Sequence, residues 1–319
     1  LFSKLTTTIT EKTDMLFSEW KSLMHLSADD NGKSKDIEKR RQDLSIIFDQ
    51  VINNPEEEYK ALFALQTTYA IIVKLIACKV VDNLNFNSST NEYHDLIGLD
   101  SNSMQKFFVR MEDGYSYKNM NIRNFLEGDF FSWYADASQW DYAFYKEMQN
   151  MIIAIDEYSA FSLDVKYAPI DIFKDLYMSI IPQSIRHSMG EYFTPEWLSD
   201  CVISQAESYI TTTKWRAIDP CCGSGIFVIS LIKKIVGQVS LYDMSQEDKS
   251  ILLSEILDRV YGIDINPLSV LSARVSYYLA IHNLGTIKDV EIPIYLGDSA
   301  IIPASKIIDG IECYAYSID

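Results

Sequence analysis

The chain has 319 residues, of which 48% are hydrophobic, so it can bury a substantial core, and its length favours two domains. Its formal net charge of −17 argues against extensive contact with phosphates. If a nucleic acid is bound, we expect most of the contacts to lie outside this chain. The five cysteines include no C-x-x-C pair, which argues against a zinc site or a disulfide framework and favours reduced thiols in the cytoplasm.

Residues 1–165 are predicted to form a helical domain. Apolar residues recur at three- and four-residue spacing within 44–52 and again within 59–69, which is typical of amphipathic helices. Turn-forming residues separate the predicted helices at 29–31, 53–55, 83–91 and 113–114.

The most apolar stretch of the chain, residues 61–81, is predicted to be a core helix. It is interrupted by Gln66, Lys74 and Lys79, so it falls short of a membrane span. Residues 1–15 are polar and of mixed charge, unlike a secretion signal. We therefore expect a soluble, cytoplasmic protein.

Three features of this domain each have a functional and a structural interpretation, and the structural one is favoured. Basic residues within 33–41 could contact phosphate, but a solvated helix start is more typical. The aromatic residues of 125–145 could stack on bases, yet Asp and no Lys or Arg lies among them, which favours a packed interface. Glu58-Tyr59-Lys60 matches half of a nuclease cluster, but no Pro-Asp pair precedes it, which argues against a nuclease in this chain.

Residues 166–319 are predicted to form a second, α/β domain. Short apolar or β-branched runs at 215–218, 260–263 and 292–296 end near a Gly or Asp and are separated by helical stretches. This alternation is typical of a parallel, doubly wound sheet, and a complete sheet of this kind needs more strands. The predicted fold class is therefore an all-α domain followed by an incomplete doubly wound α/β sheet.

The segment Asp219–Phe227 reads Asp-Pro-Cys-Cys-Gly-Ser-Gly-Ile-Phe and lies between the first predicted strand and a helix. Glycines at such a turn let the backbone approach a ligand closely, and the start of the helix favours negative charge. The third glycine of the dinucleotide fingerprint is missing, so an NAD site is disfavoured.

A second motif, Tyr261–Pro267, places Asp264 at the carboxyl end of the next predicted strand. A carboxylate in this position can accept hydrogen bonds from both hydroxyls of a ribose. Asn266 is predicted to cap the following helix, with Pro267 in its first position. An extra helix at 246–258 accounts for the long interval after the first motif.

Two further positions complete the pattern. Asp298 ends the third predicted strand, where it can accept a hydrogen bond from an exocyclic amine. Upstream, within Gly190–Trp197, Thr194 is predicted to cap a helix with Pro195 behind it, and its hydroxyl could hold a small anion. Taken singly, each of these residues is explained by a cap or a strand end. Jointly, acids at the ends of consecutive parallel strands indicate a ligand site.

Three motifs, Gly-Glu-Tyr-Phe-Thr-Pro, Asp-Pro-Cys-Cys-Gly-Ser-Gly-Ile-Phe and Gly-Ile-Asp-Ile-Asn-Pro, in this order resemble the gamma-type amino-methyltransferases of restriction-modification systems. The nearest resemblance is to large single-chain restriction-modification enzymes and to the modification subunits of type I systems. It covers residues 171–300. It implies a Rossmann-like class I methyltransferase sheet, with S-adenosylmethionine as the cofactor and no metal.

The resemblance also implies roles for individual residues. Thr194 would hold the cofactor carboxylate, and Asp219 with the turn at Gly223–Gly225 would surround its methionine part. Asp264 would hold the ribose and Asp298 the adenine amine. The family usually has alanine at the position of Cys221. The full predicted set is Tyr192, Phe193, Thr194, Asp219, Cys221, Gly223, Gly225, Phe227, Asp264, Ile265, Asp298 and Ser299.

The implied function is an adenine-N6 DNA methyltransferase in restriction-modification or phage defence, with this chain as its cofactor-binding portion. Such enzymes hold the target amine on an Asn/Asp-Pro-Pro-aromatic loop. No Pro-Pro pair occurs in the chain, which is expected to end about where a fourth strand would begin, so no catalytic residue is predicted and the chain is expected to be inactive alone. DNA would be bound through the full-length protein, with specificity or restriction domains or subunits as further partners.

Two alternatives stay open at this point. The first is a methyltransferase that acts on another amine, that of cytosine N4, of RNA or of a protein glutamine, since the same loop serves all of them. The second is a scaffold module that binds the cofactor without catalysis.

Overall fold

The computed structural model describes residues 1–27, 34–84, 92–114, 122–125, 130–157, 172–188, 191–237, 239, 243–284, 290–300, 304–308 and 311–315. The turn predicted at 29–31, most of that at 83–91, and the predicted domain boundary at 165–166 lie outside these residues.

The amino-terminal part is helical, as predicted. Its helices are α1 (Phe2–Thr7), α2 (Glu11–Ser27), α3 (Ser34–Phe48), α4 (Pro55–Leu84), α5 (Glu92–Asp95), α6 (Ser101–Glu112) and α7 (Tyr142–Asp156). Aspartate side chains cap the amino-terminal ends of α6 and α7. The Asp100 carboxylate accepts from the amides of Asn102 and Ser103, and the Asp141 carboxylate accepts from the amide of Phe144. Such caps satisfy amides that the first turn of a helix leaves without partners.

Helix α4 is the central element of this part. Within the described residues, Pro55–Lys79 is long and apolar enough to cross a membrane, but 83% of its most apolar window is buried inside the protein. Its polar side chains have protein partners: the indole of Trp20 donates to Gln66 Oε1 at 2.8 Å, and that of Trp133 to Thr67 Oγ1 at 3.0 Å. This burial confirms the predicted core helix, whereas the expectation that its polar residues make the segment fall short of a membrane span is wrong by length and composition.

Two other structural interpretations are confirmed in the same part. The aromatic segment packs into the core, where Phe131, Trp133 and Tyr134 are at most 2% exposed. The guanidinium groups of Arg40 and Arg41 both donate to the carboxylate of Glu58. The solvated helix start expected for the basic residues is wrong at Arg40, which is 2% exposed. Because Glu58 is the buried partner of two arginines, it is a structural residue rather than half of a nuclease site.

The carboxyl-terminal part alternates helices and strands. Its elements are α8 (Ile172–Ile180), α9 (Gln183–Ser188), α10 (Glu196–Glu207), β1 (Ala217–Asp219), α11 (Ile226–Val236), α12 (Gln246–Leu257), β2 (Val260–Asp264), α13 (Pro267–Ile281), β3 (Ile294–Leu296), β4 (Ala304–Ile308) and β5 (Ile311–Ala315). Short 3₁₀ turns lie at Leu96–Gly98, Phe130–Ala135 and His282–Leu284.

Strands β1, β2 and β3 form a parallel sheet in that order. In its register Asp219 pairs with Gly262 and Asp264 with Leu296, so the carboxyl ends of the strands lie side by side. The three predicted strands and their parallel pairing are confirmed, whereas the doubly wound arrangement stays a prediction. The pattern missed β4 and β5, which form a separate antiparallel pair.

The helical part packs directly against the α/β part. Asn124 Nδ2 donates to the carbonyl of Ile292 at 2.8 Å, and its Oδ1 accepts from the amide of the same residue at 2.8 Å. The hydroxyl of Tyr69 on α4 lies 3.2 Å from that of Ser272 on α13. One hydrophobic cluster includes residues of both parts. The division at residues 165 and 166 stays a prediction.

Candidate functional site

The turn after β1 is shaped by its glycines. Gly223 and Gly225 have φ values of +53° and +99°, in the left-handed region that favours glycine. Gly225 is the N-cap residue of α11. The Cys222 amide donates to the carbonyl of Ile263 at 2.9 Å, which holds this turn against the end of β2.

Asp264 is held in place by the two motifs that surround it. Its Oδ2 accepts from the amide of Gly223 at 2.8 Å and its Oδ1 from the amide of Asn266 at 2.8 Å. Burial raises the pKa of Asp264, although these hydrogen bonds act against the shift. Each carboxylate oxygen has two lone pairs, so both oxygens can still accept from a ligand. The same Asn266 caps α13 through Leu268, with Pro267 first in the helix, as predicted.

Asp219, at the end of β1, has one oxygen with a partner and one without. Its Oδ1 accepts from the amide of Cys221 at 3.1 Å. Its Oδ2 is buried and has no hydrogen-bond partner within the described part of the chain. Burial raises the pKa of this carboxyl, and the nearby Asp264 adds to the effect. A buried acceptor without a partner is unfavourable by itself and is suited to a donor from a ligand.

These carboxyl strand ends lie next to a cavity of about 440 Å³. It is lined by eight of the predicted residues, namely Tyr192, Phe193, Cys221, Gly223, Asp264, Ile265, Asp298 and Ser299. Asp298 accepts from the amide of Ala300 at 2.9 Å, and the Gly297 amide donates to the Asp264 carbonyl at 3.0 Å, which places the third strand end beside the second.

Four predicted residues are not among those that line the cavity: Thr194, Asp219, Gly225 and Phe227. The cap predicted at Thr194 is wrong, because α10 begins at Glu196 with Pro195 as its N-cap and without a side-chain cap hydrogen bond. Gly225 shapes the turn, and Phe227 lies half-buried on α11. Their contacts with a cofactor stay predictions.

The sequence interpretation missed Glu191, which lines the cavity. Its Oε2 accepts from the Tyr177 hydroxyl at 2.6 Å and its Oε1 from the Asn266 side-chain amide at 2.7 Å. Burial raises the pKa of Glu191 to about 8, and the charge of Asp264 adds to the shift. Glu191 belongs to the first of the three motifs, so the signal was present, but its partners are distant in sequence.

Tyr69 was also missed, and it comes from the helical part. It lines the cavity, its hydroxyl donates to the Phe173 carbonyl at 2.9 Å, and its ring meets that of Tyr177 edge to face at 4.9 Å. No local pattern around Tyr69 indicates a site, because a tyrosine in an apolar helix is typical of a core position.

Comparison with known proteins agrees with this geometry. Residues 168–311 match the N-6 DNA methylase family. The chain is also 28% identical over 144 residues to the adenine-specific methyltransferase PglX of Streptomyces coelicolor, a match that covers 41% of this chain and 12% of the relative. The resemblance to DNA amino-methyltransferases is confirmed over this segment, and that family uses S-adenosylmethionine as methyl donor. Residues 168–311 are therefore similar to the N-6 DNA methylase family, and the chain spans about an eighth of the length of the relative that it matches.

Proposed function

We propose that this chain binds S-adenosylmethionine in the cavity at the ends of β1, β2 and β3, as part of an adenine-N6 DNA methyltransferase of a restriction-modification or phage-defence system. The observation that carries the proposal is the placement of Asp264. Two backbone amides fix its carboxylate at the wall of a cavity. A carboxylate fixed in this way at a strand end can bind the hydroxyls of a ribose.

The other residues of the cavity fit the same ligand. Its volume of about 440 Å³ is within the range of small-molecule sites. Asp298 can accept from the exocyclic amine of adenine, and Ile265 and Phe193 supply apolar surface. Asp219 does not itself line the cavity but directly precedes Pro220 and Cys221, which do, and its buried Oδ2 would accept from the ammonium group of a bound amino acid that reaches it.

S-Adenosylmethionine supplies, when bound, a methyl group made electrophilic by the attached sulfonium. The residues of this chain would bind and orient it: Asp264 at the ribose, Asp298 at the base and Asp219 at the amino acid. Correct orientation of reacting groups is a large part of the help that such a site can provide. The cavity wall formed by Tyr177 and Phe193 would exclude water from one side of the ligand.

Calorimetric titration with S-adenosylmethionine, and separately with S-adenosylhomocysteine, tests the proposed site. We expect micromolar binding by the wild-type chain. Asp264→Asn should weaken it by about tenfold or more, since hydrogen bonds to a charged group are lost. The matched control is Asp258→Asn, an exposed acid that pairs with Arg216 away from the cavity. No binding by the wild-type chain, or equal affinities of the two variants, would contradict the proposal.

The proposed target is tested with the full-length protein, since this chain is expected to be inactive alone: the protein is incubated with DNA and a methyl-labelled donor, and the nucleosides are then separated. Labelled N6-methyladenine supports the proposal, to which the family and the name of the relative point. Labelled N4-methylcytosine, RNA or protein would favour the first alternative. Cofactor binding without transfer to any of these substrates would favour the scaffold alternative.

A further inference from the structure

The described charged residues that line the cavity are all acidic. Among the residues that the structure describes, those lining the cavity include the carboxyl groups of Glu191, Asp264 and Asp298 and no Lys, Arg or His. Asp219 lies beside them, and the charge of Asp264 raises its pKa further. A cavity of this kind attracts a cationic ligand more strongly than a neutral ligand of the same shape.

Glu191 differs from the three aspartates because it follows no strand. It lies in the segment before α10, directly before Tyr192 and Phe193 of the same motif. Its two oxygens accept from Tyr177 on α8 and from Asn266 at the start of α13. These two hydrogen bonds fix its carboxyl group at the cavity wall, so that its charge, when present, acts on the bound ligand.

The donor and the product of the proposed reaction differ in charge at one atom. S-Adenosylmethionine has a sulfonium sulfur, whereas the sulfur of S-adenosylhomocysteine is a neutral thioether. We propose that ionised Glu191 is a specificity-determining residue that makes this cavity favour the sulfonium donor over the thioether product. This inference rests on the proposed function, since it assumes that both molecules occupy the cavity.

The charge of Glu191 depends on the groups that face it. Burial raises its pKa to about 8, the charge of Asp264 raises it further, and the hydrogen bonds from Tyr177 and Asn266 and the charge of Arg186 act in the opposite direction. With this pKa, Glu191 is mostly neutral at pH 6.5 and mostly ionised at pH 8.5 in the free protein. The preference for the cation should appear over this interval.

The test compares the ratio of affinities for S-adenosylmethionine and S-adenosylhomocysteine in the wild-type chain and in Glu191→Gln, by calorimetry at pH 6.5 and 8.5. Gln keeps the shape of the protonated acid and cannot ionise. The amine of each ligand titrates in the same way with either protein, so the difference between wild type and Glu191→Gln reports the charge of Glu191 alone. We expect equal ratios at pH 6.5 and a ratio about three to ten times larger for wild type at pH 8.5. Glu196→Gln, in the exposed first turn of α10, is the matched control and should behave as wild type.

A second measurement needs only the wild-type chain and remains valid if Glu191→Gln fails to fold. It uses 5′-deoxy-5′-(dimethylsulfonio)adenosine and 5′-methylthioadenosine, a cationic and a neutral ligand without an ionisable amine. Their affinity ratio should rise about three- to tenfold between pH 6.5 and 8.5.

The outcomes separate this inference from the function on which it rests. If wild type binds both ligands but the ratios of wild type and Glu191→Gln are equal at pH 8.5, Glu191 does not determine specificity and the inference is wrong. If Glu191→Gln weakens the binding of both ligands equally at each pH, Glu191 only positions the cavity wall, and the inference is again wrong. If wild type binds neither ligand at either pH, the proposed function itself fails.

Discussion

The helical part and the candidate site differ in how their buried charges are paired. Lys74 and Glu112, at most 5% exposed, lie 2.5 Å apart, and the Tyr134 hydroxyl also donates to Glu112. In the site, by contrast, Asp219 has a buried oxygen without a hydrogen-bond partner among the described residues, and Glu191 lies close to the like charge of Asp264. Charges that only support the fold are compensated inside it, whereas those of a site are available to a ligand.

The largest expected effect tests the paired side of this comparison. Lys74→Ala leaves the carboxylate of Glu112 buried without its cation, so the free energy of unfolding should fall by about 3–5 kcal/mol. Urea unfolding followed by circular dichroism measures it. The control is Lys21→Ala, which breaks a solvent-exposed pair with Glu56 and should cost about 0–1 kcal/mol. Equal losses in the two variants would contradict the comparison.

The next effect concerns the pH dependence of stability. Glu191 has a pKa of about 8 in the folded chain against an ordinary value of 4.5. Between these values the unfolded chain has released a proton that the folded chain retains, so stability should fall as pH rises through this window. We expect Glu191 to contribute a loss of about 4 kcal/mol between pH 5 and 8.5. Urea unfolding of Glu191→Gln over the same pH range should show a correspondingly flatter curve; parallel curves would refute this prediction.

A smaller effect on stability is expected at Asp219. Burial raises its pKa, so its ionised form destabilises the folded chain at neutral pH. Asp219→Asn should therefore increase the free energy of unfolding by about 0.5–1 kcal/mol. The substitution should also weaken the binding of S-adenosylmethionine about tenfold, because an amide nitrogen in place of Oδ2 cannot accept a hydrogen bond. Thermal melting and calorimetry check the two parts, and a variant that loses stability without losing affinity would show a structural role for Asp219.

The smallest effect on cofactor affinity tests the contact between the two parts. Tyr69→Phe removes the hydroxyl that contacts both Phe173 and Ser272. This loss should lower the free energy of unfolding by about 1 kcal/mol and weaken cofactor binding about two- to threefold. Tyr145→Phe is matched to it, because its hydroxyl also donates to one backbone carbonyl, that of Leu99, away from the cavity. It should lose similar stability and no affinity. Equal affinities of the two variants would show that the helical part does not shape the site.

Local patterns predicted most of the elements that carry the site. The cap at Asn266, the extra helix at Gln246–Leu257 and the three parallel strands are all observed. Each depends on residues within a few positions of one another, so a motif suffices to predict it. The cap at Thr194 failed for a local reason too, since Pro195 itself has an extended backbone and α10 starts one residue later than predicted.

The sequence by itself determined the motifs, their order and the acids at the strand ends, because glycine turns, caps and strand ends are set by neighbouring residues. Only the tertiary structure decided which acids face the cavity and which charges lack partners. Glu191 meets Asn266, and Tyr69 meets Ser272, across 75 and 203 positions of the chain. Burial and distance between such residues set their pKa values and their access to a ligand, and neither quantity exists before the chain folds.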